Sequence, residues 1–450
     1  MGEPIKSVAG IRGVIGESCL PEEWIKYVLS FASICNGKRI IVGGDSRLSR
    51  EMLRHLAFSA LISSGYEVVD LNICPTPTVG IMVRELHAAG GIAITASHNP
   101  MEWNGYKFFN SSGIFLNKAE NARLFEEASK CNFRRASIEN IGWVKPYDKA
   151  VDVHLRQIFK QIKPNKIRRK RFKVVVDACN GAASVLLPQL MENLNCNAIL
   201  LNTDVNKNFP HHPEPLPENI HSLCNAVKKN HADIGFAIDP DGDRVAIVDE
   251  NGNPIGEERT VALGVYFLLS RVKSPVVVNL STTQAINDIA ELYKTTVFRT
   301  QIGEANVVEK LLEVKGYVGG EGNGGLIVPS IHPGRDAATA ITVILEALAE
   351  TRKPISLFNA QIPDYVLLKV KQPIEKKLNF ASILEKVKKS FPDIKDVNDK
   401  DGLKVSFEKS WVHIRPSGTE PIVRIFAEAP TREKAENLIN KMAGLIADQH

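Results

Sequence analysis

The 450 residues predict an α/β fold: three similar mixed α/β domains and a smaller C-terminal α+β domain. Two patterns lead there. Through most of the chain short apolar runs alternate with helical stretches, the signature of parallel strands joined by crossover helices. Near the C-terminus the pattern changes to alternating strands of the antiparallel kind. A chain of this length also exceeds one ordinary hydrophobic core, so several domains are expected.

In the first unit, residues 39–43 (RIIVG) read as a strand, the stretch near 52–63 as a helix, and residues 66–71 and 91–95 (GIAIT) as further strands. Residues 145–173 read as a helix and a basic connection, whose cluster at 166–173 is a solvated linker. The pattern then restarts. Strand 172–177 (FKVVVD), helix 181–193, strand 198–201 and a proline-rich loop over 204–217 lead to strand 233–238, which ends in DPDGDR. The third unit has helix 257–270, strand 275–280 (PVVVNL), helix 284–293, strands 296–299 and 317–321, a glycine-rich loop and an apolar helix at 339–350. In the last unit, strands 365–370, 403–407, 411–414 and 422–428 accompany helices near 380–390 and 433–447. The expected domain boundaries are 1–150, 151–254, 255–362 and 363–450, with a hinge over 351–365.

Composition narrows the function. The formal charge of +5 comes from 56 basic and 51 acidic residues, a mild excess that suits small anionic substrates. No basic run with interleaved aromatics argues for nucleic acid. No apolar run is long enough to span a bilayer, and the N-terminus lacks the apolar core of a signal peptide. Seven cysteines are scattered without a C-x-x-C pair, which reads as reduced thiols in a cytoplasmic protein.

Four segments carry chemistry. The first is TASHNP at 95–100, directly after a strand, where ligands of parallel sheets gather. Ser97, with His98 beside it, is the candidate nucleophile. The second is DPDGDR at 239–244. Asp239, Asp241 and Asp243 at alternate positions repel one another unless a hard cation or a basic partner offsets them. An EF-hand is excluded because Arg244 stands where the required glycine would be and a strand precedes the loop. Arg244 is placed to hold a phosphate. The third is GGEGNGG at 319–325, where Glu321 and Asn323 offer hydrogen bonds to hydroxyls; His332 and the Gly334-Arg335-Asp336 run lie just beyond. The fourth is RPSGTEP at 415–421, with Arg424 in the next strand: two arginines and two hydroxyls on a glycine-permitted turn make a phosphate cradle.

At these residues the sequence closely resembles the α-D-phosphohexomutase family, over nearly the whole chain and in order. TASHNP looks like its phosphoserine loop, DPDGDR its metal loop, GEGNGG a variant of its sugar loop and RPSGTEP its phosphate loop. The resemblance implies four domains around a central cleft. It implies a phosphoryl group moved between the 6- and 1-positions of a hexose by way of phosphorylated Ser97 and a 1,6-bisphosphate. Asp239, Asp241 and Asp243 would hold Mg²⁺, with a phosphate oxygen on Ser97 completing the shell, and His98 would help position the phosphoserine. Arg12 and Lys107 match basic positions near Ser97. Lys107 is the implied general base, its pKa expected to be lowered by the cation and Arg12 beside it. Glu321 and Asn323 would bind sugar hydroxyls, and Arg415, Ser417, Gly418, Thr419 and Arg424 the distal phosphate.

One departure matters. Many members end the sugar loop in Ser-Gly-His, where this chain has Asn323-Gly324-Gly325, and His332 is the expected substitute. The segments 209–215 and 303–306 look most like the phosphoglucosamine mutase subgroup, with phosphomannomutase/phosphoglucomutase enzymes close behind. The expected partners are a phosphosugar and hexose 1,6-bisphosphate as activator, with the chain a monomer or homodimer. The remoter reading, a haloacid-dehalogenase-type phosphatase with Asp239 as nucleophile, is disfavoured by Asp243 and leaves TASHNP unexplained.

Overall fold

A computed structural model describes residues 3–7, 10–374, 378–416 and 422–447. Among these, four sheets follow one another along the chain. The first has strands in the order Ile5–Ser7, Gly10–Val14, Trp103–Phe109, Gly90–Ile94, Arg39–Gly44, Glu67–Ile73, Trp143–Pro146. Its centre is parallel because helices Arg50–Ser63 and Thr76–Glu85 carry the chain back between strands. Side chains alternate as a two-faced strand requires. Ile40 and Val42 enter the core on one face, Ile41 that on the other.

The second sheet runs Val245–Val248, Ile234–Ile238, Lys173–Asp177, Asn197–Leu201, and the third Val297–Thr300, Val276–Asn279, Val318–Glu321, Gly325–Val328, His332–Arg335. One continuous apolar core joins these two units. The fourth sheet, Val366–Pro373, Ile422–Ala429, Trp411–Pro416, Leu403–Ser406, Asp396–Asn398, is antiparallel throughout and has its own core. Helix Ala150–Gln161 is shared: Ala150 and Val153 pack on the first unit, Leu155 and Ile158 on the second and third.

The strands read from sequence are present. The structure adds an antiparallel hairpin behind each of the four chemical segments. TASHNP joins Gly90–Ile94 to Trp103–Phe109, and DPDGDR joins Ile234–Ile238 to Val245–Val248. The sugar loop is a tight turn in which Glu321 pairs with Gly325. Trp411–Pro416 and Ile422–Ala429 pair across 417–421. In the first three sheets the leading strand of the hairpin also lies parallel to a neighbour, which is why those sheets are mixed.

The expected hinge at 351–365 is firmly held. Helix Ile355–Asn359 lies within it, and Ile355, Phe358 and Ile362 are buried in the central core. Arg259 donates to the carbonyls of Asn359 at 2.7 Å, Ile362 at 3.1 Å and Pro363 at 2.7 Å. Apolar burial and a guanidinium clamp leave little freedom before Pro363. No helix among the described residues is long and apolar enough to cross a membrane, and the seven cysteines are unpaired.

Candidate active site

Strand Gly90–Ile94, buried throughout, delivers Ser97 just past its carboxyl end. Ser97 has φ +54°, a left-handed backbone uncommon for serine. Its surroundings over-determine that conformation. Ser97 N–H donates to Thr95 Oγ1 at 2.8 Å, and Thr95 Oγ1 donates to Asp45 Oδ2 at 2.6 Å. Buried Arg47 grips the loop: Nη2 donates to the carbonyls of Ser97 at 2.7 Å and Asn99 at 2.6 Å, Nη1 to those of Trp103 at 2.9 Å and Pro100, and Nε to Asp45 Oδ2 at 3.1 Å. Only the five-donor guanidinium fork makes so many contacts at once. Sequence reasoning missed Arg47. Its one signal was an arginine directly after an apolar strand.

Ser97 Oγ lies 3.4 Å from Asp239 Oδ2 and 3.4 Å from His98 Nδ1. Arg12 Nη1 donates to Asn99 Oδ1 at 3.0 Å. Burial, then the nearby guanidiniums of Arg244 and Arg424, pull the Arg12 pKa below its ordinary value. Burial, then Arg244 and Arg12, hold His98 well below the usual imidazole range. Arg244 and Arg424 line one cleft with His98, and Arg12 feels both, a field that favours an anion.

Asp239, Asp241 and Asp243 are fully buried, and one carboxylate oxygen from each lies within 4.8 Å of the others. Gly242, at φ +73°, makes the turn that brings them round. Each carboxylate has one oxygen tied down. Asp239 Oδ1 accepts the N–H groups of Asp243 at 3.2 Å and Arg244 at 3.1 Å. Asp241 Oδ2 accepts from Lys107 Nζ at 2.6 Å and Thr76 Oγ1 at 2.8 Å. Asp243 Oδ2 accepts from Arg335 Nη2 at 2.6 Å and Lys107 Nζ at 3.3 Å. The other oxygens of Asp241 and Asp243 are buried without a hydrogen-bond partner. Unpaired buried carboxylate oxygens around one point are what a hard cation requires. The residues present therefore fit a metal ion.

The expected depression of Lys107 rests on a bound cation; the protein's own charges push the other way. Burial lowers its pKa, but Asp241 and Asp243 outweigh that, and the net shift is upward. Its nearest charged protein neighbours are carboxylates, which the motif spacing did not reveal. Asp243 is correspondingly low: burial raises it, yet Arg335, Lys107 and Arg244 more than offset this.

In the sugar loop, Glu321 Oε1 accepts from Asn279 Nδ2 at 2.8 Å and Gly303 N–H at 3.0 Å, while Oε2 accepts from Arg335 Nη1 at 2.9 Å. With its amide oriented to satisfy its neighbours, Asn323 accepts from Arg335 Nη1 at 3.0 Å and donates to the Glu321 carbonyl at 3.2 Å. His332 is a correction. It does not line the cleft but is 2 % exposed beneath helix Thr76–Glu85, against Gly80. Burial, then Arg84, hold its pKa down to about 3.

Arg415 and Arg424 face each other across the last hairpin, and Lys371 pairs with Arg424 on the other side. Like charges in directly opposed positions are unfavourable unless an anion joins them. Arg415 Nε donates to Asp401 Oδ1 at 2.7 Å. Ser417, Gly418 and Thr419 lie outside the described residues.

These groups meet at one cleft of about 450 Å³. His98, Arg244, Asn323, Arg415 and Arg424 line it, so all four sheets contribute. Lys369 and Glu258 also line it and were missed in the sequence, where each sits alone among unremarkable neighbours. Burial, helped by Glu428 and Glu257, pushes Glu258 well above the carboxylate range, although Lys369 pulls the other way.

Comparison with known proteins follows the same order. Models described as phosphoglucomutase/phosphomannomutase alpha/beta/alpha domains I, II and III match residues 5–135, 152–252 and 256–365, and the C-terminal domain model matches 367–445. The chain is 36% identical over 439 residues to a phosphoglucomutase/phosphomannomutase of Thermococcus kodakarensis, covering 96% of this chain and 95% of that one. It is 34% identical over 444 residues to a probable phosphoglucosamine mutase of Pyrococcus abyssi, covering 98% and 97%. The crystal structure of a phosphoglucomutase/phosphomannomutase family protein from Burkholderia thailandensis superposes with a TM-score of 0.85 at 26% identity, covering 98% and 97%. Matches that run through all four units in sequence leave no other assignment: the chain belongs to the phosphoglucomutase/phosphomannomutase family and is a mutase of the phosphohexomutase type.

Proposed function

We propose that the enzyme interconverts glucosamine 6-phosphate and glucosamine 1-phosphate through phosphorylated Ser97 and a 1,6-bisphosphate, with Mg²⁺ on the aspartate loop. The observation that carries this is one cleft lined both by His98, the neighbour of a Ser97 whose Oγ lies 3.4 Å from Asp239, and by the cationic row of Lys371, Arg424 and Arg415. The row binds the phosphate already on the sugar, which aims the free hydroxyl at Ser97. The P–O bond to Ser97 Oγ then breaks as a new P–O bond to the sugar oxygen forms. The bisphosphate reorients, and the other phosphate returns to Ser97. Bound Mg²⁺ supplies charge neutralisation on the transferred phosphoryl oxygens. Hexose 1,6-bisphosphate from solution would restore a serine that has lost its phosphate.

The Pyrococcus abyssi relative's name supports the amino sugar. A second reading, mannose or glucose phosphates, is favoured by the name of the Thermococcus relative. Assaying one preparation against glucosamine, mannose and glucose phosphates decides: the amino sugar should have the highest kcat/KM, and a preference for either hexose overturns the first reading.

Lys107 Nζ is the proton-transfer group in this scheme, next to the aspartates and charged at rest. It gives its proton to Ser97 Oγ as the phosphoryl group leaves and is recharged by the proton that the attacking sugar hydroxyl loses; the second transfer runs the same exchange in reverse. Lys107→Met should lower kcat by at least about 100-fold, with KM changed far less. An unchanged kcat removes Lys107 from the chemistry.

Arg415 reports on the opposite wall. Its tie to Asp401, which also accepts the Ile302 N–H at 3.0 Å, joins the phosphate row to the third unit. Charge-assisted contacts of this kind contribute about 1.5–3 kcal/mol. Arg415→Ala should raise KM at least about tenfold and lower kcat as well, because the held phosphate aligns the reacting hydroxyl. Normal binding and turnover in that variant would mean that Arg415 is only part of a decorated hairpin.

A further inference from the structure

Arg335 ends the strand His332–Arg335 and sends its side chain between two loops that are distant in sequence. Its guanidinium meets three carboxylates from three segments. Nη2 donates to Asp243 Oδ2 at 2.6 Å, Nη1 to Glu321 Oε2 at 2.9 Å, and Nε to Glu304 Oε2 at 2.8 Å. The residue is only 7% exposed, so these contacts are screened little by solvent. The sugar loop is shaped around this side chain: a Cβ at Gly325 would lie 2.1 Å from Arg335 Cδ and 2.7 Å from Cγ.

The contacts dictate which oxygens remain free. Asp243 has Oδ2 occupied, while Oδ1 accepts no hydrogen bond and has only the Arg244 guanidinium, 3.6 Å away. Of the roughly four acceptor positions of Glu321, Asn279, Gly303 and Arg335 fill three. One is left for a hydroxyl.

We infer that Arg335 is a positioning residue that couples the sugar loop to the metal loop, holding Glu321 and Asp243 in one register. The inference rests on the aspartate loop being the metal site. Because such coupling is reciprocal, a change at Glu321 must be felt at the metal, although Glu321 does not belong to the aspartate cluster. A point-charge lysine at 335 cannot hold three carboxylates in fixed directions.

The test is calorimetric titration of Mg²⁺ into the full chain, without sugar. Arg335→Gln should weaken Mg²⁺ binding by about tenfold. Glu321→Ala should weaken it about fivefold and add nothing further in the Arg335→Gln background. Arg335→Lys, which keeps the charge, should fall between Gln and wild type, and its kcat should suffer more than its KM. Melting curves in chelator identify any variant that fails to fold; Glu321→Ala and Arg335→Lys then carry the test. If folded Glu321→Ala binds Mg²⁺ as wild type does, the coupling is overturned. If wild type itself binds no Mg²⁺, the metal reading fails, and the coupling with it.

Discussion

Ser97→Ala is expected to lose at least about a thousandfold in turnover, even with hexose 1,6-bisphosphate supplied. A mutase must keep its phosphoryl group away from water while the sugar turns over. Holding it on an enzyme oxygen splits one difficult transfer into two easier ones. Ser97 is built for this: a left-handed residue at φ +54°, buried, with its oxygen 3.4 Å from Asp239. Loss of Oγ leaves the Arg47 and Thr95 contacts intact, since these use the backbone of residue 97. The variant should therefore fold and melt like wild type, so lost activity is chemical. Intact-mass analysis before and after phosphatase should show one removable phosphoryl group on the wild type and none on the variant. Retention of most of the rate would mean that another group accepts the phosphoryl.

What was legible in the sequence was whatever is concentrated in a few consecutive residues. Three aspartates at alternate positions call for a cation or a basic partner, and the triad closes within 4.8 Å with Lys107 and Arg335 against it. The buried strands stood out for the same reason, as short apolar runs between turns. Single residues that work at long range were not legible. Arg47 acts on carbonyls of 97–103, and Arg335 on Asp243 and Glu321. Each carried only a weak signal, a charged residue beside segments that are otherwise apolar or glycine-rich, and such a residue must find buried partners.

The failures share that cause. His332 lies close to the sugar loop in sequence, which points to a cleft group. A hairpin reverses direction within a few residues, however, and its return strand faces helix Thr76–Glu85 instead. For Lys107, motif spacing shows its basic neighbours but not Asp241 and Asp243, against which the folded chain sets it. The edge strands Ile5–Ser7 and Gly10–Val14 were passed over because glycine and polar residues interrupt their apolar alternation.

Removal of the metal should abolish turnover as completely as loss of the serine. Buried carboxylates this close repel strongly: burial, then Asp243 and Asp241, push Asp239 well above the carboxylate range. Lys107, Arg335 and Arg244 offset part of this, yet an oxygen of Asp241 and one of Asp243 stay without a hydrogen bond. A site so arranged is costly without a cation and favourable with one. Excess chelator should stop the reaction, and added Mg²⁺ should restore it. Asp241→Asn should weaken Mg²⁺ binding by at least about tenfold and kcat by about 100-fold or more. The variant keeps an oxygen that can face Lys107 and Thr76, and it removes one of three mutually repelling charges. Its melting temperature in chelator should therefore hold or rise, although a catalytic group has been damaged. Full turnover in excess chelator, with metal absent by elemental analysis, would show that lysine and arginine alone neutralise the transferred phosphoryl group.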